Sequence, residues 1–154
     1  MVFGTQENPL LHFAGPCPDA QQYQSAICPD LCSITESLFL LNTLCLHKAH
    51  TGGLVAIYND GSKALHLINN IDRTLKCFLA NDYDLHNESR LLLQKLQETI
   101  TINLLWIKGH YTGEKHLLEH DLNDEAHCLA TTHLTSIQNN EDLLVPSLEV
   151  SLSL

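Results

Sequence analysis

Residues 101–107, Thr-Ile-Asn-Leu-Leu-Trp-Ile, are dominated by β-branched and apolar side chains and stop at Lys108, Gly109 and His110. That composition predicts a buried strand running into a turn, with Trp106 marking its end. A polar loop follows, and Asn123, Asp124 and Glu125 then lead into Ala126, His127, Cys128, Leu129 and Ala130. Asn is a favoured N-cap and acids suit a first turn, so a helix is expected to begin at Asn123. A strand, a charged loop and a helix in this order are the most constraining feature of the chain.

The rest of the chain supplies elements of the same kind. Two short apolar runs, 1–6 and 10–14, flank Glu7-Asn8-Pro9 and suit a β-hairpin. A breaker cluster at 15–19 precedes a helical pattern in which Ile27, Leu31, Ile34, Leu38, Leu41 and Cys45 recur every three or four residues. Pro29 has no N–H and disfavours helical geometry at Cys28, so regular helix is expected from about that point. Thr51-Gly52-Gly53 ends this region. The apolar run 54–58 then reads as a buried strand that stops at Asn59-Asp60-Gly61-Ser62. A short helix is expected over 63–68, and a second over 84–99, where Leu85, Leu92 and Leu96 oppose Glu88, Arg90 and Lys95. The expected order is ββαβααβα.

Composition limits what such a domain can bind. At 154 residues with 44% hydrophobic side chains, the chain is one domain with enough apolar surface for a core. Eight basic residues against 18 acidic ones give a formal charge of −10, which repels a phosphate backbone unless a metal or a local basic patch intervenes. The six cysteines contain no CxxC pair, and the N-terminus carries no charged region followed by an apolar stretch. Both features fit a reducing, intracellular compartment. The longest apolar run, 38–46, is broken by Asn42 and Thr43 and falls far short of the roughly 18 residues that a membrane span needs.

Four points in order carry a family resemblance: Tyr23-x-Ser25; Asp60-x-x-x-Ala64-Leu65; Trp106-Ile107-Lys108-Gly109-His110; and Asn123-x-x-Ala126-x-x-Leu129-Ala130. Together they resemble a type 1 ribonuclease H-like domain of the kind that accompanies retrotransposon reverse transcriptases. The resemblance implies an α/β fold, a mixed sheet with flanking helices, over residues 1–130, with 131–154 as a C-terminal tail. It also implies that the chain begins at the family's second strand and so lacks the first. In the family that strand lies between the second and the fourth, so its absence leaves two sheet fragments with unpaired inner edges.

The family hydrolyses the RNA strand of an RNA–DNA hybrid with two magnesium ions held by four carboxylates. Hard divalent cations prefer oxygen ligands, and a pair of them stabilises both the attacking water and the leaving oxygen. Carried over by resemblance, Asp60 matches the metal-binding Asp after the fourth strand and His110 matches the loop histidine beside the active site. The helix Glu is replaced by Ala26, the last Asp by His127, and the first-strand Asp has no counterpart. Three of the four carboxylates are therefore unmatched. An imidazole suits magnesium poorly, and alanine ligates nothing. Two acids stand at helical spacing from the lost positions: Asp30, four residues after Ala26, and Asp124, three before His127.

The resemblance thus implies a retrotransposon-derived ribonuclease H-like domain without nuclease activity. Two alternatives stand beside it: a non-catalytic nucleic-acid or protein-binding module, and a hybrid endoribonuclease that uses Mg2+ with substitute ligands. On the first of these alternatives Lys108 and Lys115 would touch the backbone of a hybrid or other nucleic acid. Without the family, Asp60 reads as a strand-end or helix-capping acid. His116 and His120 lie at the i, i+4 spacing that holds zinc on a helix, near His110, His127 and Cys128, but no Cys pair accompanies them. Beyond Ala130, Leu148, Val150, Leu152 and Leu154 alternate as in a strand.

Overall fold

A computed structural model describes residues 2–4, 9–12, 27–49, 51–70, 82–113 and 117–138. The elements are β1 (Val2–Gly4), β2 (Pro9–His12), α1 (Cys28–Lys48), β3 (Leu54–Asn59), α2 (Ser62–Asn69), α3 (Tyr83–Gln97), β4 (Thr101–Trp106) and α4 (Leu118–Gln138). Their order is the ββαβααβα expected. Tyr23, Ser25, Ala26, Lys115, His116 and the alternating segment 148–154 lie outside the described residues.

Strand pairing among the described residues differs from a single mixed sheet. β1 and β2 form one antiparallel pair, Val2 opposite His12, and β3 and β4 form a separate parallel pair, Leu54 opposite Thr101 through Asn59 opposite Trp106. The chain is thus an α/β domain whose two-stranded parallel sheet is flanked by helices. Two glycines with positive φ, Gly52 (86°) and Gly53 (106°), turn the chain from α1 into β3. There the Gly53 carbonyl accepts the first ladder bond from Thr101 N–H at 2.9 Å. Both φ values lie where a Cβ is disfavoured, which explains the paired glycines.

The core lies on one face of β3 and β4. Leu31, Ile34 and Leu38 of α1, Ile57 of β3, Ala64, Leu65 and Ile68 of α2, Leu93 and Leu96 of α3, Ile100 and Ile102 form one buried cluster. Ile27, Leu41 and Cys45 pack at its margin, so the apolar spacing read along α1 is the buried face. Pro29 sits in the first turn, where an N–H would have no helical acceptor, and it costs the helix nothing there.

The buried stripe of α3 is His86, Ser89, Leu93 and Leu96. Leu85 and Leu92 are only partly buried. Two of the four inward residues are polar, and each has a partner. His86 Nε2 lies 2.9 Å from the Leu67 carbonyl, and Ser89 Oγ lies 2.6 Å from Thr35 Oγ1. Thr35 Oγ1 and Ser89 Oγ also reach the carbonyls of Leu31 and Leu85. Each hydroxyl has one proton, so one of them bonds its own helix while the other bridges α1 to α3.

The last helix starts earlier than Asn123. Leu118, Glu119, His120 and Asp121 are already helical, with Glu119 and Asp121 as the first-turn acids. The cap is supplied from inside the helix: His120 Nδ1 accepts a bond from Leu117 N–H at 3.2 Å, half of a capping box. The helix continues past Ala130 to Gln138, so the boundary between domain and tail at 130 falls within it. No described helix is long and apolar enough to cross a membrane.

Candidate functional site

β3 and β4 are parallel, so their C-terminal ends open on the same side, where α/β sheets generally place ligands. Asp60 follows β3 directly. Its carbonyl accepts Ser62 N–H at 3.0 Å and Trp106 Nε1–H at 3.1 Å, which ties the ends of the two strands together. Its carboxylate lies over Gly109, where a Cβ would collide with Oδ2. Trp106, read from sequence as the end of a strand, is thus also a clamp on the Asp60 backbone.

A second carboxylate shares this end. Asp30, in the first turn of α1, covers Gly61 so closely that a Cβ on Gly61 would meet its carboxyl group. Asn59 sets the arrangement. Its Oδ1 accepts Gly61 N–H at 2.7 Å, its Nδ2 donates to Ser33 Oγ at 3.0 Å, and Ser33 Oγ donates to the Asp30 carbonyl at 2.9 Å. One buried amide therefore joins the β3 turn to the start of α1. The Asn-Asp-Gly-Ser run announced this turn, but nothing in the sequence linked Asn59 to Ser33.

Burial pushes the Asp30 carboxyl above its usual range, and the nearby charge of Asp60 pushes it further in the same direction. An acid whose pKa is raised on folding disfavours the native state once ionised. Stability is then highest below the ordinary carboxylate range and declines as pH rises through the raised value. Asp30→Asn is expected to raise the thermal unfolding midpoint at neutral pH and to change little in acid below that window. Unfolding curves across the pH range check this, and an unchanged pH profile would contradict it.

Two histidines of α4 meet the loop that follows β4. His110 takes a left-handed backbone conformation (φ 49°) and meets His127 edge to face, with ring centroids 4.7 Å apart. About two turns nearer the helix start, Tyr111 stacks on His120 at 4.1 Å. These two ring pairs fasten the loop to α4. Beside the His110–His127 pair opens a cleft of about 540 Å³ walled by His110, Tyr111 and Thr112 from the loop and by Asp124, His127, Cys128, Thr131 and Thr132 from α4. Asp124 and His127 do share one face of the helix, as their spacing requires. Tyr58 OH donates to Glu119 Oε1 at 3.1 Å and holds the first turn of α4 to β3. Burial first, and then Glu119, push that phenol above its ordinary range.

The site residues read from sequence thus divide. Asp60 lies with Asp30, while His110 lies with His127 on the cleft. Lys108 is exposed just past β4. Among the described residues no group of three or more His, Cys, Asp or Glu side chains is disposed to hold a metal ion. Among the described residues, Asp60 and Asp30 supply two carboxylates at the strand ends and Asp124 a third on the cleft, and a pair of magnesium ions takes several oxygen ligands between them. Cys28 and Cys32 are buried thiols with sulfurs 4.0 Å apart, consistent with small apolar core residues.

Compared with protein-family models, curated proteins and solved structures, the chain matches none of them.

Proposed function

We propose that the chain is a retrotransposon-derived ribonuclease H-like domain that has lost nuclease activity and persists as a non-catalytic binding module. The observation that carries this reading is the pairing of His110 with His127. The resemblance sets the loop histidine beside a helix carboxylate, and here a second imidazole faces it. Three further features support the proposal: the element order, the parallel pairing of β3 with β4, and Asp60 immediately after β3.

One observation favours a second reading, a Mg2+-dependent hybrid endoribonuclease with substitute ligands. Asp30 stands close enough to Asp60 for their charges to interact, so it is the side chain that would replace a lost ligand. Two carboxylates supply less than the family's four, and the first reading is therefore preferred.

As a nucleic-acid module the chain would meet the backbone of an RNA–DNA hybrid through Lys108 and Lys115, against a net charge of −10. Titration of a labelled hybrid over a range of salt concentrations tests this role. Binding is expected to weaken as salt rises, and Lys108→Ala is expected to reduce the slope of log K against log salt by about 1. Absence of binding by the folded chain would move the reading to a protein-interaction module.

A further inference from the structure

β3 pairs with β4 along one edge only, and no described strand meets its other edge. The parity of that edge follows from the ladder. Gly53 and Asn59 direct their carbonyls to Thr101 and Ile107 N–H. In a parallel strand the N–H and C=O of one residue point the same way and alternate along the chain, so Val55, Ile57 and Asn59 face β4. Leu54, Ala56 and Tyr58 then turn their backbone groups to the open edge, and all three are exposed, Leu54 at 67%.

An open edge beside exposed apolar side chains is unusual for a parallel pair. Parallel strands are ordinarily covered, a lone two-stranded sheet is marginal in water, and a free edge invites another strand. We propose that residues 147–154 of this same chain add to the open edge of β3 as a third strand.

The chain beyond α4 has the length and the pattern for this. α4 lies beside β3 and is described as far as Gln138. Residues 139–146, when extended, span up to about 29 Å, nearly the length of α4 at about 31 Å, so the segment that follows can reach back along most of that helix. Ser147, Glu149, Ser151 and Ser153 alternate with Leu148, Val150, Leu152 and Leu154, a period-2 pattern long enough to match the six residues of β3. Pro146 stands just ahead of the segment, at a position where a missing N–H is tolerated in an edge strand.

Amide hydrogen exchange on the full chain tests the pairing. Val55, Ile57 and Asn59 serve as the internal reference, and Leu54, Ala56 and Tyr58 report the edge. All six are expected to be protected. The double substitution Val150→Pro and Ser151→Pro removes one donor of each parity, and it should speed exchange at Leu54, Ala56 and Tyr58 by roughly 100-fold while sparing the reference set. Unprotected edge amides in the native chain overturn the proposal, as does protection that survives the double substitution. Protection that grows with protein concentration overturns it in favour of a second copy. If the substituted chain unfolds as a whole, cross-strand NOEs in the native chain decide: contacts between 147–154 and 54–58 uphold the proposal, and their absence overturns it.

Discussion

Ile34→Ala is expected to lower the free energy of unfolding by about 2–5 kcal/mol in urea titrations followed by circular dichroism. Ile34 has no exposed surface and belongs to the buried cluster that joins α1 to β3, α2 and α3. Truncation removes apolar contact and leaves a cavity between elements that cannot all close in on it. Domains of this size have about 5–15 kcal/mol of stability, so this one substitution is enough to populate the unfolded chain. The contrast lies on the same helix. Leu46→Ala, at a side chain 66% exposed, should change stability by no more than about 0.5 kcal/mol. Equal losses at the two positions would mean that the buried face of α1 has been assigned wrongly.

Asn59→Ala is expected to cost about 1–3 kcal/mol and to alter the ionisation of a residue on another element. The buried amide serves Gly61 N–H and Ser33 Oγ at once, and alanine leaves the Gly61 donor with no acceptor. Released from α1, the Asp60 turn should move away from Asp30. The Asp30 carboxyl should then shift back toward its ordinary range, which carboxyl-detected NMR titration would show. Asn59→Asp is a harsher test, because it keeps an acceptor for Gly61 but sets a third negative charge beside Asp30 and Asp60. Its penalty should grow as pH rises above the carboxylate range. Loss of stability with no change in the Asp30 titration would show that Asn59 supports the fold without holding the two acids together.

Periodicity made most of the scaffold legible. The apolar spacing from Ile27 to Cys45 is the buried side of α1, the run at 54–58 is β3, and residues 101–107 contain β4 with Trp106 as its last residue, but both strands were expected to be buried and only one face of each is covered, with Leu54, Tyr58, Leu105 and Trp106 exposed. Two features were not visible, and for definite physical reasons. The start of α4 was placed by the cap preference of Asn123, whereas the helix begins at Leu118 because His120 reaches back to cap Leu117. A histidine in that role follows none of the usual cap patterns. The inward face of α3 was read from its leucines, yet His86 and Ser89 take inner positions because Leu67 and Thr35 supply their hydrogen-bond partners. Such partners lie far apart in sequence, and no window along the chain contains both.

The candidate site shows the same division. Asp60 and His110 could be picked out from short motifs, and Asp30 and Asp124 from helical spacing, because each depends on local order. The pairing of Asp60 with Asp30, and of His110 with His127 beside Asp124, depends on how α1 and α4 meet the strand ends. Asn59, Ser33 and Tyr58, which secure those meetings, have no chemistry of their own to mark them in a sequence.

Cleavage of a labelled RNA–DNA hybrid by the purified 154-residue chain, in magnesium and again in manganese, tests the central claim most directly. No cleavage above background is expected with either ion, and neither Asp60→Asn nor Asp30→Asn should change that result. On the proposed reading, the double substitution Ala26→Glu with His127→Asp should remain inactive as well. Metal-dependent cleavage by the native chain that Asp60→Asn abolishes would contradict the account and establish an active nuclease.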